Sequence, residues 1–201
     1  MTPEHFAAYI YAVLAHPAFT ERFWTQLESR DLRVPISGDG ELFAEAVAIG
    51  ERLLWLHTFA ERFTSRQRPR GRIPRGRARC TRSVPDTRDG YPERFEWLDA
   101  DGGTLVVGDG AFAPVSREIY QFEVSGLKVV QSWLNYRMRR PRNARRSSPL
   151  DDIRPERWTA EFTTELLHVL WILEATIDTY PRQAELMEHV MNNDLLTFDP
   201  D

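Results

Sequence analysis

Cysteine occurs once in this 201-residue chain, as Cys80, and lysine once, as Lys128. A single thiol excludes an intrachain disulfide and any zinc site built from several thiolates. Long apolar runs are missing as well: none approaches the roughly 20 residues that a membrane-crossing helix needs. The N-terminus has no basic segment followed by an apolar one, the mark of a secretory signal. The expected compartment is therefore the cytoplasm, with no membrane partner.

Catalytic signatures are equally scarce. The chain has no Gly-x-Gly-x-x-Gly loop, no Walker-type loop and no His-Glu-x-x-His. The aromatic Pro-Pro motif of adenine methyltransferases is absent. Pro85-Asp86 could open a nuclease motif, but no Glu-x-Lys follows at usable spacing, since Glu123 and Lys128 stand five apart. Glu165-x-x-His168 would be half of a di-iron helix site, and the other half is missing. His5, His16, His57 and His189 have no acid or nucleophile that the sequence pairs with them, and nothing positive supports a triad on Ser132 or Cys80. The reading is non-catalytic, with no metal and no cofactor.

What is present is enough apolar material for a core, at 42% hydrophobic and 11% aromatic residues, and a segregated charge. The net charge is −4. Residues 1–60 carry −4, residues 61–146 carry +9 and residues 147–201 carry −9. A polyanion would be met by the middle of the chain. Nearly all the bases are arginine, a bias that a G+C-rich genome partly explains.

Hydrophobic spacing predicts helices first. Phe6, Tyr9, Ile10, Val13 and Leu14 form one apolar stripe, Phe19–Leu27 a second short segment after Pro17, and 41–63 a longer helix capped by Asp39. From Thr64 to Gly90 the sequence is rich in Arg, Pro and Gly and reads as an extended loop with almost nothing to bury. Strand signals follow at 94–99, 103–108, 112–115 and 118–124, separated by turns at 101–102 and 108–110. Leu127, Val130, Leu134 and Met138 then mark a helix stopped by Pro141, and all of them are expected to face the core except Met138, on which only the spacing bears. Two last helices are expected at about 158–180 and 182–192, divided by Pro181. The fold class is α+β: N-terminal helices, a small central antiparallel sheet and C-terminal helices. The expected organisation is an N-terminal helical part at 1–64, the arginine-rich loop at 65–92 and an α+β part at 93–201, together one compact domain.

Two basic segments stand out. Nine arginines lie between Arg66 and Arg88, opposed only by Asp86, and six more crowd into Arg137–Arg146 with no acid among them. Cations at a helix C-terminus complement the macrodipole, which accounts for Arg137, Arg139 and Arg140. It does not account for Arg142, Arg145 and Arg146 beyond Pro141. Unpaired like charges repel one another unless a polyanion neutralises them, so nucleic acid and a solvated loop both remain open on charge alone. Trp133 and Tyr136 read as packing residues, with base contacts as the alternative.

The blocks "FAAYIYAVLAHPAF" (6–19), "LFAEAVAIGERLLWLHTFAERF" (42–63), "GDGAFAPVSREIYQFEVSGLKVVQSWLNYRM" (108–138) and "SSPLDDIRPERWTAEFTTELLHVLWILEAT" (147–176) resemble a known region in the same order. It is the C-terminal specificity region of single-polypeptide restriction–modification enzymes, the type ISP proteins and related large adenine-N6 DNA methyltransferases. The third block is the most specific. The resemblance implies a target recognition domain that reads double-stranded DNA. It places S-adenosylmethionine only in an associated methyltransferase, and names a methyltransferase or helicase–nuclease subunit as a further partner. Such enzymes are long chains with catalytic parts upstream, and Met1 falls near the start of the specificity region. This chain is then an excised domain, a split subunit or a remnant.

Joined to the charge pattern, that implication nominates Arg137, Arg139, Arg140, Arg142, Arg145 and Arg146 as DNA-binding residues, with Arg70, Arg72, Arg75 and Lys128. The alternative from a different class is a scaffold whose acidic helices bind a protein partner.

Overall fold

In the computed structural model, residues 2–29, 33–100, 102–139 and 155–196 are described. Their order is helix, then sheet, then helix, so the α+β class holds. By packing, the chain divides into two units, Met1–Ile73 together with Asp178–Asp201, and Pro74–Ile177. This division differs from the expected grouping of 93–201, because the last helix packs with the first ones.

In the discontinuous unit, α1 (Pro3–Leu14) starts at Thr2, whose side chain accepts from the His5 amide, and has Pro3 in its first turn. Two short helices follow, α2 (Pro17–Arg22) and α3 (Trp24–Glu28), where one segment was expected. Helix α4 (Gly40–His57) is capped by Asp39, which accepts from the amides of Glu41 and Leu42, as expected. It ends at His57 rather than near 63. Phe59 and Ala60 adopt left-handed φ values of 53° and 61°, and the Ala60 amide bonds back to the Trp55 carbonyl at 2.8 Å. That closes the helix without a glycine. Helix α8 (Tyr180–Asn192) begins at Tyr180, so Pro181 sits in its first turn, where a missing N–H costs nothing.

Tyr9, Val13, Phe19, Ile49, Leu53, Leu186 and Val190 make the core of this unit. Gln183 Nε2 donates to the Ala12 carbonyl at 3.0 Å, tying α8 to α1. The Tyr9 hydroxyl donates to the Pro35 carbonyl at 2.9 Å and accepts from the Ser37 amide at 3.0 Å, fixing the loop before α4. The Gly38 amide bonds to the Asp194 carbonyl, and the Leu196 amide to the Ile36 carbonyl.

The continuous unit holds a four-stranded antiparallel sheet of order β1-β4-β3-β2, from β1 (Arg79–Arg82), β2 (Phe95–Leu98), β3 (Thr104–Val107) and β4 (Gly110–Ala113). Strands β2 to β4 lie where the alternation and the turn residues put them. Strand β1 does not: it comes from the arginine-rich segment expected to be an extended loop, and pairs with β4 through Arg79↔Ala113 and Cys80↔Phe112. The same segment buries Ala78 and Val84.

The stretch 118–124 is a second correction. Instead of one strand it gives helix α5 (Arg117–Gln121) and the short strand β5 (Glu123–Val124). Ser116 decides this, because its hydroxyl accepts from the Ile119 amide and caps the helix, with Glu118 in the first turn. Strand β6 (Leu127–Lys128), helix α6 (Val129–Arg137) and helix α7 (Ala160–Ile177) complete the unit. Its core unites Leu105, Val107, Phe112, Val130, Leu134, Trp158, Leu166 and Leu170. A buried leucine such as Leu134 contributes about 1.5–3 kcal/mol by leaving water.

Candidate nucleic-acid interface

Helix α6 is the element from which the candidate surface is built. Val130, Leu134 and Met138 are buried, as their spacing predicts. Leu127 was expected beside them but is 56% exposed. The helix starts two residues later, at Val129, so the direction of Leu127 is set by strand β6 instead. There it pairs with Val124, itself 55% exposed, across a turn at Ser125 and Gly126. Both turn residues have positive φ, 50° and 83°, the requirement of the turn that best matches strand twist, and glycine meets it without strain. Lys128 lies opposite Glu123 at the base of this exposed hairpin.

Trp133 packs as expected, edge-on to Trp158 and Phe162 at centroid distances of 6.1 and 6.5 Å. Tyr136 does not pack: it is 71% exposed.

At the C-terminal end of α6 the two described arginines are already engaged. Arg137 lies over the Trp133 ring at 4.2 Å, and its Nε donates to Glu165 Oε2 at 3.2 Å. Arg139 donates from Nη1 to Glu93 Oε1 at 2.9 Å and from Nη2 to the Arg88 carbonyl, and its guanidinium lies over the Tyr91 ring. Its amide also bonds to the Pro92 carbonyl at 2.9 Å. The segment 88–93 is thus strapped to the end of α6, and Arg88 and Arg94 flank that strap with exposed side chains. Arg140, Arg142, Arg145 and Arg146 lie outside the described residues.

The first basic segment looks unopposed in sequence but is partly opposed in the fold. Arg68 pairs with Glu51 and Arg70 with Glu61 at 2.7 Å, both in the discontinuous unit. Arg77 pairs with Glu174 of α7, which is 7% exposed and also accepts from the Arg77 amide at 2.7 Å. Arg79 donates to the carbonyls of Gly76 and Ala78. Arg72 and Arg75 are exposed, and no described acid pairs with either. Arg70 and Arg72 belong to one unit and Arg75 to the other, so the three nominated loop arginines are not one cluster within a unit.

For catalysis, Glu165 is the ion partner of Arg137, and His168 lies against Trp171 with ring centroids 5.6 Å apart. Among the described residues no three of His, Cys, Asp and Glu come together as a metal site. Burial pushes the Cys80 thiol above its ordinary range, away from the thiolate that a nucleophile needs. No helix of the described residues is long and apolar enough to cross a membrane.

One feature of this surface escapes the charge pattern of the sequence. Of helices α1 to α8, α6 alone contains no acidic residue. The signal was available, but it needed the helix boundaries: counting charge in long windows hides a nine-residue gap.

Comparison with known proteins agrees with the geometry. No curated protein matches the sequence. Two solved structures share the fold. One is described as the "ATP-dependent Type ISP restriction-modification enzyme LlaBIII bound to DNA", with a TM-score of 0.59 and 13% identity over 98% of this chain. The other is a nuclease-deletion mutant of the Type ISP restriction-modification enzyme LlaGI in complex with a DNA substrate mimic, with a TM-score of 0.53 and 17% identity over 99% of this chain. The chain spans 12% and 17% of the lengths of those two proteins. The model of the Type ISP C-terminal specificity domain matches residues 1–169, and this chain belongs to that family.

Proposed function

We propose that this chain recognises a double-stranded DNA sequence as the specificity part of a restriction–modification system and does no chemistry itself. The observation that carries this reading is the family match over residues 1–169. The two similar solved structures, each described with DNA or a DNA mimic, support it. Methyl transfer from S-adenosylmethionine and cleavage then belong to an associated methyltransferase or helicase–nuclease part, and the chain works in the cytoplasm. Phosphate contacts fall to Lys128, Arg75 and Arg72, to the arginines that follow α6 in sequence, Arg140, Arg142, Arg145 and Arg146, and to Arg139 where it loosens from Glu93. Arg137 and Arg70 can join only by loosening from Glu165 and Glu61. Such contacts position a protein on the duplex without reading it.

The test is a salt titration of binding to a labelled duplex. With six or more phosphates neutralised, affinity falls by orders of magnitude between roughly 50 and 200 mM salt. No binding at low salt, or binding indifferent to salt, overturns the reading. Pure protein incubated with labelled S-adenosylmethionine and mixed-sequence DNA is expected to leave the DNA unlabelled.

A further inference from the structure

Phosphate contacts leave open which side chains tell one base pair from another. Base edges are read by groups that donate and accept hydrogen bonds, carried on an element narrow enough to enter a groove. The major groove of B-DNA is about 12 Å wide and admits an α-helix. The helix must also approach a dense row of phosphates, so acidic residues on it are a direct cost.

Helix α6 meets these conditions. It runs nine residues, about 13 Å at 1.5 Å per residue, and it is the one helix of α1 to α8 without an acid. Helix α7 of the same unit carries Glu161, Glu165 and Glu174, and α5 carries Glu118. No acid occurs anywhere from Val124 to Arg139. One face of α6 is committed to the core through Val130, Leu134 and Met138. Away from that face, Gln131 and Asn135 lie one turn apart on one row, and Ser132 and Tyr136 one turn apart on the next. Asn135 and Tyr136 are exposed and Gln131 is half-exposed. Amide side chains suit bidentate bonds to adenine, and a tyrosine hydroxyl both donates and accepts. Among the described residues Tyr136 is left 71% exposed, on a helix that buries Val130 and Leu134 on its other side.

The helix is also held at both ends. Its N-terminus grows directly out of the β5–β6 hairpin, and its C-terminus is fixed by the strap at 88–93. A rigidly held helix reads bases at little ordering cost.

We infer that the outward face of α6, through Gln131, Asn135 and Tyr136, lies in the major groove and supplies direct base readout. The inference rests on the DNA-binding reading above. It commits the face to duplex DNA rather than to a protein partner.

The experiment selects bound duplexes from a randomised pool with the full chain and with the variants Gln131→Ala, Asn135→Ala and the double variant, followed by sequencing. Alanine has the highest helix propensity and both positions lie outside the core, so the variants fold; unchanged thermal unfolding verifies this. The wild-type chain is expected to enrich a motif. The double variant is expected to lose about tenfold or more of the preference at two or three adjacent base pairs. Its affinity for arbitrary duplex at low salt should stay within about twofold.

If the wild type binds DNA without preference, or the double variant keeps the whole preference, the inference is overturned and the face serves another contact, such as a protein partner. If the variant binds all sequences more weakly with its preference intact, α6 is a phosphate-contacting element and the inference falls as well. If the wild type binds no DNA at any salt, the DNA-binding reading itself fails, and this inference with it.

Discussion

The Tyr91 hydroxyl donates a 2.8 Å hydrogen bond to the main-chain carbonyl of Arg137, in the last turn of α6, where carbonyls have no partner within the helix. The bond joins residues 46 apart in sequence and secures the end of the helix. Tyr91→Phe keeps the buried ring and removes only the donor. We expect a loss of about 1 kcal/mol, read as a lower denaturant midpoint with an unchanged slope. An unchanged midpoint would mean that the hydroxyl contributes nothing to the anchor.

Glu174 is buried against the segment that leads into β1, where it accepts both the amide and the side chain of Arg77. Arg77 is mostly solvent-exposed, so screening leaves the ion pair itself little weight, and the amide bond to a buried carboxylate dominates. Glu174→Ala should cost about 2 kcal/mol and Glu174→Gln less, since the amide oxygen still accepts. Gly76→Ala tests the same contact from the other side. A methyl there would stand 2.3 Å from Glu174 Oε2 and 2.7 Å from Trp171 Cδ1, so thermal unfolding should move down by several degrees. A tolerated alanine would show that Gly76 is not closed in.

Two histidines of the discontinuous unit make its stability depend on pH. The His57 ring lies 2.7 Å from the Tyr11 hydroxyl, and burial pushes its pKa below the ordinary value near 6.5. Burial likewise lowers His16, whose Nδ1 accepts the Ala18 amide at the start of α2. In the unfolded chain both take up protons at higher pH than in the folded one. Their stabilisation is complete above about pH 6.5 and is lost as the pH falls below it. Unfolding midpoints measured from pH 7.5 to 5 should fall, and His57→Gln should flatten the profile. An equally steep profile in the variant would remove His57 as a cause.

Arg88 and Arg94 flank the strap that holds α6, with exposed side chains that no described acid opposes. If the DNA backbone runs past this rim, Arg88→Ala with Arg94→Ala should weaken binding to all sequences alike. The slope of log affinity against log salt should drop by roughly 0.9 for each lost phosphate contact, with any sequence preference unchanged. A slope equal to that of the wild type would move the rim elsewhere.

Features set by near neighbours were legible in the sequence. The Asp39 cap, the buried row Val130, Leu134 and Met138, and strands β2 to β4 follow from period and turn residues alone. Several of the misses come from contacts distant in sequence. Strand β1 shows no apolar alternation because it is an edge strand, placed by pairing with β4 and by the Trp171 indole, which donates to the Ala78 carbonyl. Helix α4 ends on left-handed Phe59 and Ala60, residue types that announce no stop. The nine arginines between Arg66 and Arg88 looked bare because Glu174, the partner of Arg77, stands 97 residues away. For the candidate site, charge counted in windows pointed to arginines that the fold partly uses for itself. The neutral face of α6 emerged only when helix boundaries and exposure were known.

Pro74–Ile177 interrupts a unit formed by the stretches of chain on either side of it. The chain comes into this unit at Gly76–Ala78 and leaves it along the last turns of α7. Trp171 and Glu174 hold those two stretches side by side through the Ala78 carbonyl and Arg77. A segment whose two ends meet behaves as a cassette. Exchanging it for the corresponding segment of a relative would leave the sequence of the other unit untouched. On the proposed reading, with the base-reading face on α6 of this unit, a chimaera exchanging residues 74–177 should carry its sequence preference with it.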